Sequence, residues 1–174
     1  MKKMNIWMIM LLSSVLTFQA CNNDDDEDAM TLNGQTFVTE AASGNMLEIQ
    51  AGALANSKAQ DQQVKTYGQH MVDDHSLAST QLSNVATPKG FLIPTQLTAK
   101  HQQQLNLLTP LSGVNFDKAF ANLMLTSHQE QVDLFTRASN SVDDNDLKAF
   151  ASQKLPVLQA HLQEAQQMNA RLNP

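Results

Sequence analysis

Met71-Val72-Asp73-Asp74-His75-Ser76-Leu77-Ala78-Ser79-Thr80-Gln81-Leu82 sets Met71, His75, Ala78 and Leu82 at alternating steps of four and three. Such steps keep residues on one seam of a packed helix. The seam continues back to Val64 and Gly68 and forward to Val85, which predicts a helix from about Asp61 to Ala86. Fifty-three residues later the spacing returns in Met124-Leu125-Thr126-Ser127-His128-Gln129-Glu130-Gln131-Val132-Asp133-Leu134-Phe135, with His128 in the place of His75. Each copy sets one histidine inside an apolar stripe.

Working outward, three more stripes of helical period appear, and no sustained period-two alternation. Phe37, Ala41, Gly44, Glu48, Ala51 and Ala55 predict a first helix from Phe37 to about Ser57, capped by Thr36. Gly44 weakens that helix relative to alanine, which points to a close approach there. Ala121, Met124, His128, Gln131, Phe135 and Ala138 predict a third helix from about Phe116 to Ala138, widened by Phe120, Leu123 and Leu134. The fourth, about Asn145 to Leu172, carries Leu147, Ala151, Lys154, Leu158, His161, Ala165, Met168 and Leu172, with Pro156 expected to kink it.

Thr87-Pro88-Lys89-Gly90 stops the second helix. Residues 88–115 then form a connection longer than antiparallel neighbours need, with a short amphipathic helix from about Ala99 to Leu108. His101 falls on its polar part and reads as a surface residue. Asp61-Gln62-Gln63-Val64-Lys65-Thr66-Tyr67-Gly68 parallels Asp144-Asn145-Asp146-Leu147-Lys148-Ala149-Phe150-Ala151, as if one helix pair occurred twice. The expected fold is therefore all-α: a ferritin-like four-helix bundle over residues 35–174, with a long crossover between its second and third helices.

The N-terminus reads differently. Lys2 and Lys3, the apolar run Ile6 to Leu16, and Ala20 before Cys21 make residues 1–20 a secretory signal, too short to span a bilayer as a mature helix. Phe18-Gln19-Ala20-Cys21 is similar to a bacterial lipobox, so Cys21 is the expected acylation site, ahead of an ordinary signal cleaved nearby. A single cysteine excludes an internal disulfide and a cysteine-based zinc site. Residues 21–34 form an acidic tether through Asp24-Asp25-Asp26-Glu27-Asp28, read either as a surface-export signal or as a plain spacer. The expected location is the cell envelope, anchored at the outer membrane on its periplasmic or surface face.

The formal net charge is −6, and residues 29–174 hold nine basic against twelve acidic side chains. So mild a balance gives no electrostatic reason to bind nucleic acid. No phosphate loop, zinc-protease helix motif or Cys-x-x-Cys-His is present. Protein or polysaccharide partners are not specified.

Glu48, His75 and His128 point inward near mid-height. Counted about 12 residues along the first helix, 11 from the end of the second and 12 into the third, they lie within about 3 Å of one level. His161 stands four or five residues away, about 6–8 Å by the same rise, and joins them only through the Pro156 kink or a register shift. Three imidazoles and a carboxylate suit one divalent transition metal. A hydrogen-bonded Glu48–histidine core network is the competing reading. Asp74 reads as an exposed acid and a weak candidate for supporting a ligand, whereas Asp73 and His70 read as solvent-facing.

Phe37-Val38 through Gly44-Asn45-Met46-Leu47-Glu48, Met71-Val72-Asp73-Asp74-His75, His128 with Val132 and Leu134-Phe135, and Leu155-Pro156-Val157-Leu158 through His161-Leu162 together resemble the bacterial domain-of-unknown-function family 4142 over about residues 35–170. The resemblance implies an exported, ferritin-like helical protein, often described only as an outer-membrane protein, and carries no settled activity. Ser127 stands where members of that family often place an acid before the histidine. Val72, Leu125 and Leu158, three before His75, His128 and His161, replace the glutamates of di-iron Glu-x-x-His pairs, which argues against ferroxidase or oxygenase chemistry. The reading is a non-enzymatic, lipid-anchored protein holding one transition metal. A metal-dependent redox or hydrolytic enzyme and a metal-free interaction module are the alternatives.

Overall fold

The computed structural model describes residues 31–174, so the signal segment, Cys21 and the acidic run through Asp28 lie outside the described residues. The stripes become helices α1 (Gly34–Lys58), α2 (Gln62–Ala86), α3 (Ala99–Leu108), α4 (Gly113–Ser141) and α5 (Asn145–Leu172). The described residues are all-helical apart from their connections, and the four long helices form the expected bundle. None of the described helices is long and apolar enough to cross a membrane.

Helix starts follow side chains that satisfy otherwise unpaired backbone N–H groups. Asp61 Oδ1 accepts from the Gln63 and Val64 amides at 2.8 and 3.2 Å to open α2, and Asp144 Oδ1 accepts from Asp146 and Leu147 at 2.9 and 3.0 Å to open α5. The two parallel sequence stretches thus share one job, and each aspartate also pairs with a distant cation, Arg171 or Lys89. The first helix starts earlier than expected. Asn33 rather than Thr36 is its cap, with Oδ1 3.0 Å from the Thr36 amide. The cause is tertiary: the Leu32 amide donates to Ser141 O at 2.9 Å and Gly34 to Asp143 Oδ1 at 2.8 Å, which holds the chain in place for the helix to begin. α4 likewise begins at Gly113, ahead of Phe116.

α1 packs along α2 and α4 along α5, while the crossover returns the chain to the far end so that α2 and α4 run the same way. Gly52 and Gly68 let α1 and α2 approach closely: a Cβ on Gly68 would sit 2.6 Å from Ala55 Cβ. Gly44 serves a different purpose, because a Cβ there would strike the amide of Gln131, whose side chain reaches across from α4. Pro156 lies inside a continuous α5 on its exposed side, where water can satisfy the carbonyl it leaves unpaired.

The core is divided. Phe37, Leu82, Phe135, Leu147 and Phe150 fill the end where α1 starts; Val64, Tyr67, Phe116, Phe120 and Met168 fill the other. Each fully buried large apolar side chain contributes about 1.5–3 kcal/mol relative to exposure. Between the two clusters lies a polar layer built from Asn45, Glu48, His75, Ser127, His128 and His161, all buried.

His101 corrects the reading of the crossover as surface. It is 2% exposed, and its Nδ1 lies 2.7 Å from Ser43 Oγ. His101, Leu105 and Leu108 form the inward stripe of α3, which lies on α1 and α4. The glutamines beside it obscured that short stripe.

Candidate metal centre

In the middle layer, ring centroids of His75, His128 and His161 lie 5.4–5.7 Å apart. One ring nitrogen from each falls within 4.8 Å of the other two. His161 is therefore at the site, although its position along the helix suggested a level of its own. It stands 16 residues beyond the start of α5 and Glu48 14 beyond the start of α1, whereas His75 precedes the end of α2 by 11 and His128 precedes the end of α4 by 13. α4 ends, rather than starts, at this end of the bundle, so His128 belongs to the same count as His75. Helical side chains lean toward their own N-terminus. Those of α1 and α5 consequently lean toward the end where these two helices start while those of α2 and α4 lean away from it, and residues at unequal heights meet.

Each histidine has one nitrogen held and one bare. His75 Nδ1 lies 2.9 Å from Asn45 Oδ1 and 3.0 Å from Glu48 Oε2. Both neighbours are oxygens, so the hydrogen sits on Nδ1, directed at Asn45. His128 Nδ1 donates to Met124 O at 2.9 Å, with Glu48 Oε1 at 3.5 Å. His161 Nε2 donates to Asp74 Oδ2 at 3.0 Å. Left buried without partners are His75 Nε2, His128 Nε2 and His161 Nδ1. In a neutral imidazole whose other nitrogen carries the hydrogen, that atom presents a lone pair. Three lone pairs buried close together are unfavourable unless a hydrogen-bond donor or a cation accepts them.

Glu48 stands behind this group rather than among its converging donors. Its Oε1 accepts from Ser127 Oγ at 2.7 Å, and its carboxylate faces the outer nitrogens of His75 and His128. Ser127, which marked a departure from the family pattern, thus holds the buried acid. Asp74 is the acid that meets His161, from a position half exposed to solvent. Asn45 and the Met124 carbonyl were not foreseen. Asn45 lies three residues before Glu48 on the same helical face, which was the one signal available for it.

Burial pushes the His75 imidazole down to about 4, with Glu48 opposing. Burial and the neighbouring His128 likewise hold His161 below its ordinary value, against the pull of Asp74. For Glu48, burial works to raise the pKa, but positive charge at His75 and His128 and the Ser127 hydrogen bond leave the carboxyl below its usual range.

The donors fit a divalent cation. Three atoms no more than 4.8 Å apart share a centre at most about 2.8 Å from each, so movements of up to about 0.7 Å would reach the metal–imidazole distance of about 2.0–2.1 Å. An all-imidazole set suits copper or zinc and not magnesium or calcium, which take oxygen donors.

No curated protein matches the chain. A solved structure described as CopM in the Cu(II)-bound form shares the fold at TM-score 0.68 and 15% identity, over 82% of this chain and 99% of that one. The family model described as Domain of unknown function (DUF4142) matches residues 19–168. With that match spanning most of its length, and with the all-helical bundle in agreement, the chain belongs to the DUF4142 family.

Proposed function

We propose that this protein holds one transition-metal ion, copper by preference, at His75 Nε2, His128 Nε2 and His161 Nδ1, and that it works in the cell envelope as a binding protein rather than an enzyme. The observation that carries this reading is the convergence of three buried, unpaired ring nitrogens, each on a ring whose other nitrogen is held by an oxygen. Oxygen acceptors behind ligating histidines fix the tautomer and make the ligand more basic. Asn45, Glu48, the Met124 carbonyl and Asp74 fill those roles here. Glu48 also offsets part of the charge a metal brings into the core. Copper is favoured because the fold resembles that of a protein solved in a Cu(II)-bound form, and because imidazole donors suit it.

Export rests on the Lys2–Ala20 signal, and attachment to the outer membrane on acylation of Cys21. The membrane is then the partner, and nucleic acid has no part.

The test is metal content of the purified protein after exposure to Cu(II) or Zn(II). One ion per chain is expected, lost in His75→Ala, His128→Ala and His161→Ala and kept in His70→Ala, whose histidine is exposed. No ion at any loading would leave the layer as a metal-free Glu48–histidine network.

A further inference from the structure

Three protein nitrogens do not complete the coordination of copper(II) or zinc, which take at least four donors. Among the described residues no fourth His, Cys, Asp or Glu donor converges with them, and the nearest carboxylate, Glu48, is engaged by Ser127 and the outer nitrogens. None of these side chains supplies the remaining donor. One face of the layer admits a donor from outside the chain. A cavity of about 160 Å³ opens between α2 and α5, with His75, His161 and Asn45 on its floor and Leu77, Lys154 and Val157 among its walls. A water needs only about 10–15 Å³ of such space. His128 and Glu48 do not line the cavity. They close the layer from the opposite side, both fully buried.

Resting on the metal reading above, we propose that the fourth coordination position is an open binding site for a small exogenous donor, water or a compact anion, reached through the α2–α5 cavity. His161 is the ligand at its threshold. It is the least buried of the three, at 7% exposed against 2% for His75 and none for His128, and its Nε2 is tethered to a half-exposed Asp74. The bare nitrogens themselves are shielded from solvent, so a donor arriving from the cavity passes the edges of His75 and His161. Leu77 and Val157, which also line the cavity, are 57% and 45% exposed.

The experiment titrates sodium azide into the Cu(II)-loaded protein, monitored by the azide-to-copper charge-transfer band and by electron paramagnetic resonance, with copper stoichiometry measured on the same samples. One azide per copper is expected, with changes in both spectra. Leu77→Trp and Val157→Trp, at exposed positions outside the two apolar clusters, are expected to keep the copper and to weaken azide by about tenfold or more, a difference of about 1.4 kcal/mol. Copper bound without any response to azide would overturn the open position alone. Azide binding that neither tryptophan affects would overturn the route. Absence of copper in every sample would overturn both this inference and the metal reading beneath it.

Discussion

The protein buries four histidines and treats them in two ways. His101, on the crossover helix α3, is as deeply buried as His75, yet its Nδ1 meets the Ser43 hydroxyl at 2.7 Å and neither of its nitrogens is both buried and unpaired. His75, His128 and His161 have equally good partners on one nitrogen only, and the other three nitrogens face one another. Burial therefore does not distinguish a structural histidine from a ligand. The destination of the second nitrogen does: His101 leaves no buried ring nitrogen without a partner, whereas His75, His128 and His161 each leave one, a donor set that suits a cation.

The contrast breaks most sharply by exchanging the two kinds. His128→Ala is expected to abolish metal-dependent stabilisation, which for an ion at a hundred times its dissociation constant amounts to about 2.7 kcal/mol. His101→Ala is expected to lower metal-free stability by about 1–3 kcal/mol through the lost Ser43 hydrogen bond and the lost packing of a buried ring, Thr98 remaining as a partner for Ser43, while keeping the full metal response. Thermal melts with and without metal and chelator read both. A metal response lost equally in the two variants would erase the distinction.

Glu48→Gln tests the support behind the ligands. It keeps the side chain's size and an acceptor for Ser127 but removes the charge, so stoichiometry should hold while affinity falls about 10- to 100-fold in competition with a chelator. Unchanged affinity would reduce Glu48 to packing.

Acidity should sharpen the comparison. Burial lowers the pKa of His75 to about 4 and also lowers those of His101 and His161. Each therefore takes up its proton more readily unfolded, near pH 6.5, than folded. Metal-free stability should accordingly be fully present above about pH 6.5 and decline as the pH falls toward the folded values. Unfolding free energies from urea titrations between pH 7.5 and 5, falling with acidity by about 1.4 kcal/mol per pH unit for each histidine that titrates only when unfolded, would show it. His101→Gln should make the decline shallower by one group. A slope that the variant leaves intact would show that His101 carries none of it.

The smallest effect is expected at the solvent edge. Asp74→Asn keeps an oxygen for His161 Nε2 but removes a half-exposed charge, whose influence water screens. Metal affinity should fall by less than in Glu48→Gln, measured side by side. The reverse order would assign the electrostatic work to the rim.

Much of the bundle was legible in the sequence because helical period is a local property. The stripes through Phe37, Met71, Met124 and Leu147 named the buried faces, and the length of the crossover implied its course. What was not legible depends on contacts between distant segments. Asn33 displaced Thr36 as the first cap because Leu32 and Gly34 are held by the α4–α5 connection. His101 looked exposed among Gln102, Gln103 and Gln104 because a ten-residue helix shows only three members of its stripe. The inward placement of Glu48, His75 and His128 could be read from spacing. Counting heights along the helices could not place His161, since backbone levels ignore the opposite lean of side chains on antiparallel helices. Asn45 and the Met124 carbonyl acquire their roles only once His75 and His128 are oriented.

The polar layer between the two apolar clusters also bears on how the chain finds its alignment. Apolar stripes of alanine, leucine and phenylalanine tolerate sliding, because one turn along a helix exchanges one apolar residue for another. A band of ionisable groups across the middle does not. Shifting α1, α2, α4 or α5 by a single turn would press Glu48 or a histidine against the Phe37–Phe150 or Phe116–Phe120 cluster and remove its partner. The resulting unpaired polar group costs more than the sliding gains. The layer thus works as a ruler for the four helices, setting their mutual offset whether or not an ion binds.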